Sequence, residues 1–229
     1  MQNKIIEEII SFPCLNCGRK IAQKYGFCKQ CFQQFPFILA PACPGCGAEN
    51  DGIFEICSKC LKETPRAWKR AVSLMRMEGA GQDLIHKLKY YNDTALARAM
   101  GEIAAEKIDK SSIDIDCIVP VPLHWMRRLT RGYNQAELLA QVISKNINIP
   151  HKNLLKRIKH TPRQANLARK QRLKNLDGAF SINKRKNCTN LKILLIDDVM
   201  TTGTTLNAAS QVLVNAGAAE VNVLALLRA

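Results

Sequence analysis

The stretch ILLIDDVMTTGTT, Ile193 to Thr205, carries both the fold and the chemistry of this chain. Four consecutive aliphatic residues read as a strand buried on both faces, as in a parallel sheet. Two adjacent carboxylates follow, and then a loop of small hydroxyl residues and one glycine that leads into the helical pattern LNAASQVLVNAG, with Gly217 as its cap. Such a loop, here Thr201, Thr202, Gly203, Thr204 and Thr205, presents backbone N–H groups and hydroxyls at a helix N-terminus, where the macrodipole favours a phosphate. Gly203 permits close backbone approach. Asp197 and Asp198 would then accept hydrogen bonds from the vicinal hydroxyls of the sugar attached to that phosphate. Asp pairs also form turns and Thr/Gly runs also cap helices, so the ordered combination is the signal. The Walker and dinucleotide GxGxxG patterns are absent.

Working outward, CIVPVP (Cys117 to Pro122) reads as a second buried strand. The segment from Asp83 to Lys107 is helical in pattern, as is ELLAQVISK after Tyr133-Asn134, and VNVLALL forms the last strand. Strands alternating with helices predict an α/β fold, a parallel sheet flanked by helices. Ligands in such sheets sit beyond the carboxyl ends of the strands. The loops after Val119–Pro122 and after Ile193–Ile196 are therefore expected to wall one cleft.

Eight of the ten cysteines fall before residue 61 as four Cys-x-x-Cys pairs: Cys14/Cys17, Cys28/Cys31, Cys43/Cys46 and Cys57/Cys60. The second four repeat the first at an offset of 29, and the first pair of each half is followed by glycine, Gly18 or Gly47. Two thiolates spaced by two residues grip one metal from a tight turn, and two such turns complete a tetrahedral site. Two structural zinc ions are the simplest count, and a stretch too small for its own core would draw folding free energy from them. Sequential pairing fits the repeat, with an interleaved arrangement as the alternative. A disulfide framework conflicts with a reducing compartment. Cys117 and Cys188 read as buried small residues. Ile5, Ile6, Ile9 and Ile10 suggest a short amphipathic helix ahead of the first pair, and Glu63-Thr64-Pro65 reads as a linker. The expected division is a double zinc knuckle over 1–63 and an α/β domain over 64–229.

With 34 Lys+Arg against 19 Asp+Glu, the 229-residue chain carries +15, which favours polyanionic partners. Twelve of those charges lie between His151 and Lys192, where thirteen basic residues face the single acid Asp177. Aromatic residues are scarce there, so contact with nucleic acid through residues such as Lys170, Arg172, Lys184, Arg185 and Lys186 would be tolerant of sequence and sensitive to salt. No apolar run reaches the roughly 18 residues a membrane span needs. MQNKIIEEIISF carries two glutamates where a signal peptide would be apolar, so a cytoplasmic protein is expected.

The Asp197-Asp198 signature resembles that of type I phosphoribosyltransferases, with Thr204 where a second glycine is usual. Taken with CPGCG (Cys43 to Gly47), LKYYND (Leu88 to Asp93), VPVPLHWMRRLTRGYNQAELLA (Val119 to Ala140) and TPRQANLARKQRLKNLDGAF (Thr161 to Phe180), the chain resembles the ComF family of competence proteins. The resemblance implies a phosphoribosyl pyrophosphate site with magnesium. Asp197 and Asp198 would be its catalytic carboxylates, the Val121, Pro122, Leu123 and His124 loop would hold pyrophosphate, and Thr161 to Arg172 would form a hood. Arg127, Arg128 and Arg131 would neutralise the leaving group, with Lys87 and Lys89 as weaker candidates. It also implies a part in single-stranded DNA uptake during natural transformation, at the inner face of the membrane beside a helicase-like or DNA-transport partner. Two readings follow: a phosphoribosyltransferase with an unidentified acceptor, or a non-catalytic nucleic-acid-binding protein that uses the sugar ligand as a regulator.

Overall fold

A strand that is apolar at every position needs cover on both faces, and the architecture supplies it. A computed structural model describes residues 11–39, 41–62, 65–90, 93–108, 113–159, 178–183 and 185–229. The expected N-terminal helix, the linker residues Glu63 and Thr64, the hood, and Lys170, Arg172 and Lys184 lie outside them.

The cysteine-rich region holds the short antiparallel pair β1 (Phe12–Pro13) and β2 (Lys20–Ile21) and two short helices, α1 (Lys29–Gln33) and α2 (Ser58–Leu61). Next come β3 (Ala71–Arg76), α3 (Gly79–Tyr90), α4 (Thr94–Lys107), β4 (Cys117–Pro120), α5 (Trp125–Arg131) and α6 (Gln135–Ile147). An antiparallel pair, β5 (Leu155–Arg157) and β6 (Phe180–Ile182), precedes β7 (Lys192–Met200), α7 (Thr204–Asn215) and β8 (Glu220–Arg228). The main sheet has four strands, all parallel, in the order β3-β8-β7-β4.

Alternation along β7 divides the core. Leu194 and Ile196 face one side, where Leu84 and Leu88 of α3, Leu96 and Met100 of α4, and Leu139 and Ile143 of α6 cover them. Ile193 and Leu195 face the other, under Leu206, Ala209 and Leu213 of α7 and the β5–β6 pair. Both faces of the central strands are dry, which is why their sequence shows no polar alternation.

Three features depart from the sequence expectation. The helical stretch from Asp83 to Lys107 is two helices, because the Asp93 carboxylate accepts from the Leu96 N–H at 2.8 Å and starts α4 afresh. β3 and the β5–β6 pair carry no pattern that announces them, being short or unalternating. β7 runs on to Met200, still paired to β8, so Asp197 and Asp198 sit on the strand itself and not in a loop after it.

The segment between the two cysteine quartets lies along the outer edge of β3. Ile38 N–H donates to the Leu74 carbonyl at 2.9 Å, Arg76 N–H to that of Pro36 at 2.9 Å, and Phe37 bridges Met75 in antiparallel fashion. Phe35 and Ile38 are buried there. The second quartet follows closely: Gly47 has φ +67°, and a Cβ on it would fall 2.6 Å from Ser73 Oγ.

Candidate active site

The carboxyl ends of β4 and β7 are held side by side, since the Val121 N–H donates to the Ile196 carbonyl at 2.9 Å. Between them lies a cleft of about 520 Å³, within the usual size for a small-ligand site. Asp197, Asp198, Thr201 and Thr205 line one wall; Val121, Pro122, Leu123, Arg127 and Arg131 line the other, with Lys89, Asn134, Gln135 and Arg157 between them.

The threonine loop is fastened from behind. Arg228 Nη1 donates to the carbonyls of Thr201 at 2.6 Å and Met200 at 3.2 Å, and Arg66 Nη1 to that of Thr202 at 2.7 Å. Thr202 Oγ1 lies 2.6 Å from Thr204 Oγ1, which ties the turn to the first residue of α7. Gly203 caps that helix at φ +75°, and a Cβ there would fall 2.3 Å from Arg66 Nη1. With its carbonyls engaged by protein, the loop is built to offer N–H groups to an anion. Thr201 and Thr205 reach the cleft lining, whereas Thr202, Gly203 and Thr204 shape the turn.

The opposite wall explains the run RGYNQ. α5 ends at Gly132, and the Tyr133 hydroxyl and Gln135 Nε2 both donate to the Leu88 carbonyl at the end of α3, the latter at 3.3 Å. Asn134 Oδ1 caps α6 by accepting from the Ala136 N–H at 3.2 Å, while its Nδ2 donates to the Val121 carbonyl at 3.0 Å. Arg131 Nη1 donates to Gln135 Oε1 at 2.9 Å. One motif therefore fixes the β4 loop, α3 and a cleft arginine together.

The electrostatics are mixed and close. Burial, and then the Asp198 charge, push the Asp197 carboxyl up to about 7, against the pull of the Asp198 N–H, Lys89 and Arg157. Lys89 Nζ approaches Asp198 Oδ2 to 3.4 Å. Arg157, stacked at 5.4 Å over Phe180, has its pKa lowered by burial and then by Arg127. Two acids beside four cationic side chains suit a ligand with hydroxyls at one end and phosphates at the other.

Each cysteine quartet is assembled sequentially. The sulfurs of Cys14, Cys17, Cys28 and Cys31 lie within 4.8 Å of one another, as do those of Cys43, Cys46, Cys57 and Cys60. The Cys17–Cys28 and Cys46–Cys57 sulfur separations are both 3.8 Å, and about 3.8 Å is the edge of a tetrahedron with zinc–sulfur bonds of about 2.3 Å. Burial opposes the Cys14 thiolate, but the N–H groups of Cys17, Cys28 and Asn16 outweigh it and hold that thiol at about 6. Cys57 is held at about 7 in the same way, by the Cys60 N–H and the neighbouring thiols against burial. Burial and then the Cys46 charge drive Cys60 upward. A divalent cation would relieve that crowding, and the all-sulfur donor set fits zinc. Cys117 and Cys188 are buried in the sheet core.

The phosphoribosyl transferase domain family matches residues 87–229, and the double zinc ribbon domain family matches residues 9–61. Competence protein F of Haemophilus influenzae is 36% identical over 96% of this chain and 98% of its own length. The chain belongs to the ComF family. Competence protein ComFC of Bacillus subtilis, at 28% identity, covers 100% of both chains, and DNA utilization protein YhgH of Escherichia coli is 30% identical over 81% of this chain and 83% of its own. The ComF chain thus has a phosphoribosyltransferase α/β fold preceded by two four-cysteine clusters.

Not every residue singled out in the ComF sequence reaches the cleft. Arg128 Nη2 faces Glu137 Oε2 at 3.6 Å and lines a separate depression with Trp125, Leu129 and Gly132. His124 is 4% exposed and caps α5, its Nδ1 accepting from the Met126 N–H at 3.3 Å. Arg185 and Lys186 are exposed in the turn after β6. Arg157, Asn134 and Gln135 join the site unannounced, and Lys87 points instead at Asn16, its Nζ donating to that carbonyl at 3.0 Å. Among the described residues no helix is long and apolar enough to cross a membrane.

Proposed function

We propose that this ComF-family protein binds phosphoribosyl pyrophosphate with magnesium in the β7 cleft and transfers the phosphoribosyl group to an acceptor during single-stranded DNA uptake. One observation carries the reading: the acid pair and the threonine loop share a single cleft with the β4 loop and three arginines. The 5′-phosphate would rest on Thr201 to Thr205, the ring hydroxyls on Asp197 and Asp198, and the pyrophosphate against Val121 to Leu123, Arg127 and Arg131. In the transfer a lone pair on the acceptor attacks the anomeric carbon. The bond from that carbon to pyrophosphate breaks, and its electron pair departs with the leaving group. Positive charge grows on the ring, and the carboxylates stabilise it where it develops. Magnesium on the pyrophosphate would neutralise the departing charge. As the ribose enters, its hydroxyls replace Lys89 as partners of Asp198.

Each four-cysteine cluster would hold one structural zinc, giving two per chain, with a zinc region over 1–63 and a transferase region over 64–229. The protein would work in the cytoplasm, at the inner face of the membrane beside a helicase-like or DNA-transport partner.

A second reading makes the chain a non-catalytic nucleic-acid-binding protein with the sugar ligand as regulator. It is favoured by the concentration of charge from His151 to Lys192 and by the exposure of Arg185 and Lys186. The matched relatives are named for competence and DNA utilization.

Calorimetry with phosphoribosyl pyrophosphate and magnesium tests both. Binding that Asp197→Asn/Asp198→Asn abolishes, with pyrophosphate released when an acceptor base or amine is added, supports transfer. Binding without release across nucleobases and amines selects the regulator, and no binding overturns the cleft assignment.

A further inference from the structure

The phosphate loop does not stand alone; it is strapped to the second cysteine quartet. Arg228 is 7% exposed, and its guanidinium donates to the main-chain carbonyls of Cys46, Met200 and Thr201 and to the main-chain oxygen of Ala229. Its Nε donates to the Cys46 carbonyl at 3.1 Å, while its Nη1 donates to those of Met200 and Thr201. Residues 182 positions apart in the chain are thereby joined through one guanidinium. A second strap runs in parallel. Trp68 Nε1 donates to the Gly45 carbonyl at 3.1 Å, Arg66 stacks over the Trp68 ring at 5.1 Å, and Arg66 Nη1 holds the Thr202 carbonyl at 2.7 Å.

The two carbonyls gripped on the far side, Gly45 and Cys46, belong to the chelating turn between the Cys43 and Cys46 sulfurs. Their positions depend on whether that turn is closed on a metal. A buried guanidinium is costly without a counter-charge. A divalent metal held by four thiolates carries a net charge of about −2, and it would add negative charge on the side of Arg228 where Nε reaches the Cys46 carbonyl.

We infer that Arg228 and Arg66 are positioning residues through which the Cys43/Cys46/Cys57/Cys60 metal site sets the geometry of the phosphate loop, so that the metal and a sugar phosphate bind with positive coupling. This rests on the reading of the cleft as a phosphoribosyl pyrophosphate site. Coupling of this kind is reciprocal, so the ligand must hold the second metal as firmly as the metal holds the ligand.

The test uses the full zinc-loaded chain, exposed to a zinc chelator and N-ethylmaleimide, with labelling of each cysteine followed by peptide mass spectrometry. Saturating phosphoribosyl pyrophosphate with magnesium should slow labelling of Cys57 and Cys60 by about fivefold or more, the low end of ordinary coupling energies. Labelling of Cys17 in the first quartet should not change. Arg66→Ala should weaken binding of the sugar donor several-fold and remove the protection; Arg228→Lys should retain part of it and Arg228→Gln none. Because Arg228 is buried and its variants can unfold, the more exposed Arg66 carries the decision on its own. A donor that binds wild type yet leaves Cys57 and Cys60 labelling unchanged overturns the coupling and spares the cleft assignment, as does protection that survives intact in Arg66→Ala. Failure of wild type to bind the donor overturns both.

Discussion

Lys89 of α3 and Asp198 of β7 form an ion pair across the cleft, Nζ to Oδ2 at 3.4 Å, and the same ammonium draws the Asp197 titration downward. Lys89→Met should therefore raise the Asp197 midpoint above its value of about 7. Carboxyl-carbon NMR across pH 5 to 9 reads this directly, on the usual range for a displaced carboxylate. A midpoint that stays put or falls would show that the ammonium does not act on the acid pair.

Asp197 also makes stability depend on pH. Its folded-state pKa, about 7 against 3.8 for an unperturbed carboxyl, is raised, so the folded chain holds a proton that the unfolded chain gives up. Stability from this group is present below the unfolded value and is lost as pH climbs toward and through about 7. Asp197→Asn removes that loss. Its stability relative to wild type should be greater at pH 8 than at pH 5 by roughly 2 to 3 kcal/mol, as read from urea midpoints at the two conditions. A difference of the opposite sign would be inconsistent with a buried, proton-holding carboxyl.

Asn134 both caps α6 and holds the Val121 carbonyl, at 3.2 and 3.0 Å. Asn134→Ala should cost about 1 to 3 kcal/mol of stability and weaken donor binding as well, because the loop after β4 loses its tether. Calorimetry alongside thermal unfolding separates the two effects. Unchanged affinity in a destabilised variant would confine Asn134 to capping.

Removing metal should destabilise the main sheet along with the cysteine region. Phe35 and Ile38, between the quartets, are 5% and 0% exposed against the sheet and its helices. Chelator-treated protein should melt in one transition at a lower temperature than loaded protein, by tryptophan fluorescence and far-UV circular dichroism together. An unshifted main transition would mean that the two regions are energetically independent.

If the turn after β6 contacts single-stranded DNA, Arg185→Ala/Lys186→Ala should flatten the salt dependence of binding. Two lost phosphate contacts lower the log–log slope by roughly 1.4, at about 0.7 per contact for single strands. Anisotropy titrations between 50 and 300 mM salt span the range where that slope is measurable. An identical slope would remove these two side chains from the interface.

What the sequence made legible was whatever lies close together along it. The threonine loop and the adjacent carboxylates fall within the 13 residues from Ile193 to Thr205, each cysteine quartet falls within 18, and hydrophobic runs marked β4, β7 and β8. β3 is hidden because AVSLMR is apolar on both faces without a turn signal ahead of it, and β5 and β6 because three residues carry no period. Lys89, already a candidate in the sequence, does line the cleft, whereas Arg157 enters it from β5, in an antiparallel pair outside the main sheet that no local pattern announces. Arg128 shows the converse: on α5 neighbouring arginines point to different sides, so proximity in sequence put it in the cleft while the helix turned it toward Glu137.

The backbone pairing of Phe37 and Ile38 with β3 has a practical side. Trimming the chain to its catalytic-looking portion would strip that strand of its neighbour and leave a bare ribbon of unpaired amides and carbonyls flanked by apolar side chains. Such ribbons find each other, so a truncated fragment should precipitate or domain-swap where the intact polypeptide does not.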